Sequence, residues 1–121
     1  MLIAAFLVLA TAVTLGTGLA VFHLRGASAR VVPWPFAGAH GLLGIAGLCC
    51  LLFSLRGPPR GVAQGVASFG AAGAVFLIVA ALAGVAAMIA LWRKRRAGAL
   101  IALHATLAVF GFVLVAAYLL V

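Results

Sequence analysis

The chain has 121 residues, of which 69% are hydrophobic and 7% charged, and its net charge of +8 comes from Lys and Arg alone because it contains no Asp or Glu. A chain this apolar cannot hide its hydrophobic surface in one small core and requires lipid as its solvent. The missing carboxylates exclude chemistry that needs a carboxylate base, a carboxylate nucleophile or a carboxylate-held magnesium, and with it most hydrolases and all conventional ATPases.

The first uncharged run is 1–24, which at about 1.5 Å per residue crosses a hydrocarbon core of roughly 30 Å once. Ala27-Ser28-Ala29 has the small-x-small form of a signal cleavage site. No Lys or Arg precedes the run, however, the run is longer than an ordinary signal-peptide core, and Arg25 follows it, so a permanent helix is predicted. Pro33-Trp34-Pro35 closes the first connection, because each proline lacks an N–H and restrains the residue before it. A second helix is predicted over 36–55, and Arg56-Gly57-Pro58-Pro59-Arg60 reads as a turn. The third run, 62–92, is longer than one crossing needs and ends at Arg93-Lys94-Arg95-Arg96; the fourth is 97–121.

Backbone groups in lipid must be satisfied within each span, so these runs predict a single all-α domain. It is a four-helix transmembrane bundle of up-down-up-down topology with short connections. The cations sit in the gaps between apolar runs, where their common work is to orient the helices, and nucleic-acid binding is not expected. Arg25, Arg30, Arg93, Lys94, Arg95 and Arg96 fall on one side and only Arg56 and Arg60 on the other. The positive-inside rule then puts the basic loops in the cytoplasm and both termini on the periplasmic or extracellular side. Trp34 and Trp92 at one boundary and Tyr118 near the other are expected as an aromatic belt. The run Arg93 to Arg96 can also meet anionic headgroups.

Cys49 and Cys50 are neighbours within an apolar run. On a helix their side chains diverge by about 100°, so they read as small packed residues rather than a disulfide or redox motif.

The second and fourth runs contain His40-Gly41-Leu42-Leu43-Gly44-Ile45-Ala46-Gly47 and His104-Ala105-Thr106-Leu107-Ala108-Val109-Phe110-Gly111, which share the pattern H-[GA]-x-L-[GA]-x-x-G. Upstream, Gly16 to Arg25 and Gly84 to Arg93 repeat the same spacing. The chain therefore reads as two helical hairpins of one design, arranged as a parallel repeat about a pseudo-twofold axis along the membrane normal. A residue of the second helix near that axis faces its counterpart on the fourth, so His40 and His104 can meet at similar depth. Gly44 and Gly47 share the face of His40, and Ala108 and Gly111 share the face of His104.

Two neutral imidazoles on facing helices, beside a row of small residues, are the components of a b-type haem site. On that reading His40 and His104 are candidate axial ligands, and Gly44, Gly47, Ala108 and Gly111 are candidate haem-facing residues. Each imidazole can instead hydrogen-bond across helices and hold the bundle together, or serve proton transfer. Zinc would want more ligands than are supplied. His23, next to the basic boundary, reads as an interfacial side chain. Thr11, Thr14 and Thr17, the glycines at Gly38, Gly41, Gly44 and Gly47, and on the third run Gly61-x-x-x-Gly65, Gly70, Gly73 and Ala80-x-x-x-Gly84 read as packing devices.

In general plan the paired histidines resemble membrane cytochromes b such as the b561 type and the haem-bearing anchors of respiratory dehydrogenases, although three histidines do not meet the four-ligand, di-haem pattern. Length and helix number resemble a small multidrug-resistance transporter, but the membrane glutamate of that family is missing. The function classes left are a non-catalytic accessory or scaffold subunit that associates with other membrane subunits or with itself, and a haem-binding electron carrier or anchor. A channel comes third, for want of a polar path.

Overall fold

The computed structural model describes residues 1–25 and 33–121. Arg30 and the Ala27-Ser28-Ala29 triplet lie outside the described residues. The elements are α1 (Leu2–Arg25), α2 (Trp34–Ser54), α3 (Phe69–Trp92) and α4 (Gly98–Leu119). Each is long and apolar enough to cross a membrane, and no strand occurs among the described residues. The helices form a four-helix bundle of two hairpins, α1 with α2 and α3 with α4. The hairpins meet along α1–α4 and α2–α3, and the diagonal pairs α1–α3 and α2–α4 do not pack backbone to backbone.

Three boundaries differ from the sequence reading. α2 begins at Trp34 rather than 36, because Pro35 falls in the first turn, where its missing N–H costs nothing, and the Pro33 carbonyl accepts from the N–H groups of Phe36 and Ala37. α3 begins at Phe69 rather than 62. Gly61 and Gly65 take positive φ (66° and 73°), and the intervening residues close isolated turns, Gly65 N–H to Val62 O and Val66 N–H to Gly61 O, so no helix propagates. That segment folds against the end of α4, where the Arg60 N–H donates to the Tyr118 hydroxyl at 3.4 Å. Tyr118 is consequently a core residue, 4% exposed, and not a member of an interfacial belt. Trp34 and Trp92 are exposed at the opposite end.

That opposite end closes α3 with a Schellman motif: the Lys94 N–H donates to Leu91 O and the Arg95 N–H to Ala90 O. Lys94 occupies the left-handed position (φ 55°), where glycine is usual. A side chain there costs on the order of 1–2 kcal/mol.

The pseudo-twofold is visible in what each hairpin buries. Leu9, Ala12 and Gly16 of α1 correspond to Leu77, Ala80 and Gly84 of α3, and His40, Gly47 and Leu51 of α2 to His104, Gly111 and Val115 of α4. Leu9 sits on the backbone of Gly47, and Leu77 sits on that of Gly111. Large buried side chains cluster at the end away from the basic run: Leu2, Leu9, Leu51, Leu77, Val115 and Tyr118, with Phe6 stacked on Phe112 at 5.1 Å across the hairpins. At the basic end the buried positions are alanines, Ala83, Ala87 and Ala97. Thr11, Thr14 and Thr17 return their hydroxyls to the carbonyls of Leu7, Ala10 and Val13 of their own helix.

Closest approach is between α3 and α4, where a Cβ on Gly73 would lie 3.0 Å from Gly111 O and a Cβ on Gly111 3.0 Å from Gly73 O. Gly38 and Gly41 face open space. Gly111→Val should therefore destabilise the detergent-solubilised protein by about 1–3 kcal/mol, whereas Gly38→Ala and Gly41→Ala should cost nothing and gain up to about 1 kcal/mol of helix propensity. Unfolding midpoints in increasing SDS read the difference, and equal midpoints for all three variants would contradict the packing described.

Candidate functional site

His40 and His104 are each the seventh residue of their helices, about 9 Å inside the helix start at 1.5 Å per residue. They lie in the half of the bundle where the core is built of small residues. α2 and α4 stand on a diagonal and do not pack backbone to backbone, yet the two imidazole centroids are 5.7 Å apart with ring planes 89° to one another. The histidines thus span the centre of the bundle where larger apolar side chains are lacking.

Each ring is held by its own hairpin. His40 Nδ1 lies 2.9 Å from the carbonyl of Ala12, and His104 Nδ1 lies 2.7 Å from that of Ala80. A carbonyl only accepts, so Nδ1 carries the proton, and in the neutral ring the Nε2 lone pair stays uncommitted. The same carbonyl-oriented tautomer is what metal-ligating histidines use. Glycine makes the geometry possible. A Cβ on Gly16 would fall 2.7 Å from His40 Cε1, and one on Gly84 would fall 2.9 Å from His104 Nδ1. Ala12-x-x-x-Gly16 and Ala80-x-x-x-Gly84 are therefore one device used twice: a carbonyl to orient the ring and, a turn later, a notch to receive it.

Gly44, one turn beyond His40, is half-buried and has nothing within 4 Å of where its Cβ would be. Ala108, the matching residue beyond His104, is also half-buried. Gly47 and Gly111, two turns away, are occupied by Leu9 and by Leu77 with the Gly73 carbonyl. Gly44 and Ala108 thus remain as the small residues next to the pair. His23 is exposed in the last turn of α1. Cys49 and Cys50 are both free, and the described residues contain no cluster of three or more metal-ligating side chains of the His, Cys, Asp or Glu type.

Sequence spacing singles out the histidines, and it reads Gly16 and Gly84 as markers of the repeat and Ala80-x-x-x-Gly84 as a helix-packing row. The service of Gly16 and Gly84 as imidazole seats, and of the Ala12 and Ala80 carbonyls as the acceptors that orient the rings, had one available signal: small residues four apart at matching places in both hairpins.

Compared with known proteins, the chain matches no protein family, no curated protein and no solved structure.

Gly16→Ala should push the His40 ring off its seat and weaken the bond to Ala12, lowering stability by about 1–3 kcal/mol. Because the penalty acts through the imidazole, adding His40→Ala should relieve part of it, a coupling of about 0.5–3 kcal/mol in a double-mutant cycle. Strictly additive losses would show that Gly16 is needed for some other contact.

Proposed function

We propose that this small multi-pass membrane protein is a non-catalytic subunit that holds a b-type haem between His40 and His104 and serves as an electron carrier or as the anchor of a larger membrane complex. The observation that carries the reading is the pair of carbonyl-oriented imidazoles, brought from two otherwise separate helices to 5.7 Å across the centre of the bundle. His40 and His104 would hold the haem iron through Nε2, the ring nitrogen that the bonds to Ala12 and Ala80 leave free. On this reading Gly44 and Ala108, the small half-buried residues one turn beyond the histidines, would leave room for the macrocycle. The haem would supply one-electron chemistry, while the chain's residues fix the imidazole tautomer and exclude water.

A second reading is favoured by the leucines already seated on Gly47 and Gly111. In it the histidines are clasps, the small-residue rows serve close packing alone, and the protein is an accessory or scaffold subunit that presents apolar helix faces to other membrane subunits or to itself.

A dithionite-reduced minus oxidised absorbance spectrum of detergent-purified protein, expressed with ample haem, separates the two. Sharp Soret and α-bands are expected; His40→Ala and His104→Ala should each abolish them while the protein still inserts, and His23→Ala should leave them intact. A colourless parent protein, or colour retained in both single variants, rejects haem ligation by this pair and leaves the scaffold reading.

Orientation follows from charge. The end bearing Arg25 and Arg93 to Arg96 is placed in the cytoplasm and Arg56 and Arg60 on the opposite side. Alkaline phosphatase fused after Val121 should be active and a fluorescent protein fused there dark; the reverse pattern inverts the topology.

A further inference from the structure

The basic end carries a second feature that is independent of the histidines. Trp34, in the first turn of α2, and Met88, Ile89 and Trp92, in the last turns of α3, line an open apolar groove on the outside of the bundle. Its lip is the run Arg93 to Arg96, which follows Trp92 directly and is exposed throughout. The Schellman turn fixes the backbone of this run, so Lys94 is held in a conformation that favours glycine, and the chain nonetheless supplies a cation there. Immediately beyond, α4 starts from Ala97, which has no side chain able to cap it, and its first N–H groups are left without a side-chain partner. Four exposed cations and a helix N-terminus thus follow directly on a residue of the apolar groove, and the chain has no acidic side chain with which to neutralise them.

We propose that this groove is a binding site for an anionic phospholipid: one acyl chain lies against Trp34, Met88, Ile89 and Trp92, and the phosphate is held by the Arg93 to Arg96 run and the uncapped start of α4. Charge complementarity selects the occupant. The ligand must carry the negative charge that the protein lacks, and it must be amphiphilic, because the cations border a lipid-facing apolar surface. Arginine offers bidentate geometry to phosphate and lysine a point charge, so the run suits a phosphodiester headgroup.

The chain has only two tryptophans, and both line the groove, so intrinsic fluorescence reports on this site alone. The full chain is reconstituted into phosphatidylcholine bilayers containing increasing mole fractions of brominated phosphatidylglycerol or, separately, brominated phosphatidylcholine. Quenching by the anionic lipid is expected to saturate at a mole fraction at least fivefold lower than quenching by the zwitterionic lipid. Raising the salt to 1 M, which shortens the screening length to about 3 Å, should remove most of that preference from the unaltered protein. The combined variant R93Q/K94Q/R95Q/R96Q should lose it at low salt. Because that variant can misinsert, the salt arm stands on its own. Equal quenching by the two lipids, or quenching by the anionic lipid that rises linearly without saturating, overturns the proposal.

Discussion

The fold depends on side chains of one helix reaching the backbone of its neighbour through a glycine. Lipid tails are as apolar as leucine, so burying leucines gives helices in a membrane little reason to associate; close packing and hydrogen bonds across the interface must supply it. Each hairpin here has two such contacts, a leucine against the backbone of a glycine and a histidine over a glycine. The leucine and the histidine come from opposite helices, so the two contacts run in opposite directions across the interface: Leu9 reaches from α1 to Gly47, and His40 reaches from α2 to Gly16 and Ala12. The α3–α4 hairpin repeats the arrangement with Leu77, Gly111, His104, Gly84 and Ala80. A hairpin pinned at both depths cannot slide by a helical turn without unseating both side chains.

Pinning each hairpin internally has an effect between them. The leucine contacts belong to a half of the bundle that also buries Leu2, Leu51, Val115 and Tyr118, and there the hairpins are cemented by the Phe6–Phe112 stack. In the other half the side chains that point inward are the histidines, oriented by their own hairpins before they meet. Their encounter on the α2–α4 diagonal is therefore a consequence of two local structures and the twofold, and it does not rest on any direct packing of α2 on α4. A pair built in this way has its ring orientations set by backbone carbonyls, which are the least adaptable groups available, and leaves the space between the rings to be set by how the hairpins lean.

Much of this was legible in the sequence because lipid leaves few alternatives. Four apolar runs separated by cations could only be helices, and the H-[GA]-x-L-[GA]-x-x-G repeat fixed which residues share a face. The start of α3 was not legible, since 62–68 carries no charge and no proline; what interrupts it is the pair of positive-φ glycines, whose backbone conformation no composition reveals. Tyr118 was misread for a related reason. A tyrosine near the end of a span fits an interfacial belt equally well, and only the return of the 55–68 segment over the end of α4 buries it and provides the Arg60 N–H for its hydroxyl. The seats of the histidines lie on α1 and α3, helices whose glycines looked like ordinary spacing, so the candidate site was half visible: its ligating side chains could be named and the residues that orient them could not.

The two hairpins are not equal copies, and the difference bears on how the bundle can accommodate anything between the histidines. In α3–α4 the glycines at Gly73 and Gly111 bring backbone against backbone, and α3 buries an unbroken inward row from Gly70 through Ala87. In α1–α2 the residue matching Gly73 is Ala5, α2 buries only Gly47 and Leu51, and Gly38, Gly41 and Gly44 face open space. The α3–α4 hairpin is thus the rigid reference, and α2 is the helix with the fewest contacts to give up. Any change in the spacing of His40 and His104 is cheapest as a lean of the α1–α2 hairpin against α3–α4 about the Phe6–Phe112 end. Such a lean keeps Leu9 on Gly47 and His40 on Gly16 and Ala12, so the more loosely packed α1–α2 hairpin is the adjustable wall of the space between the histidines.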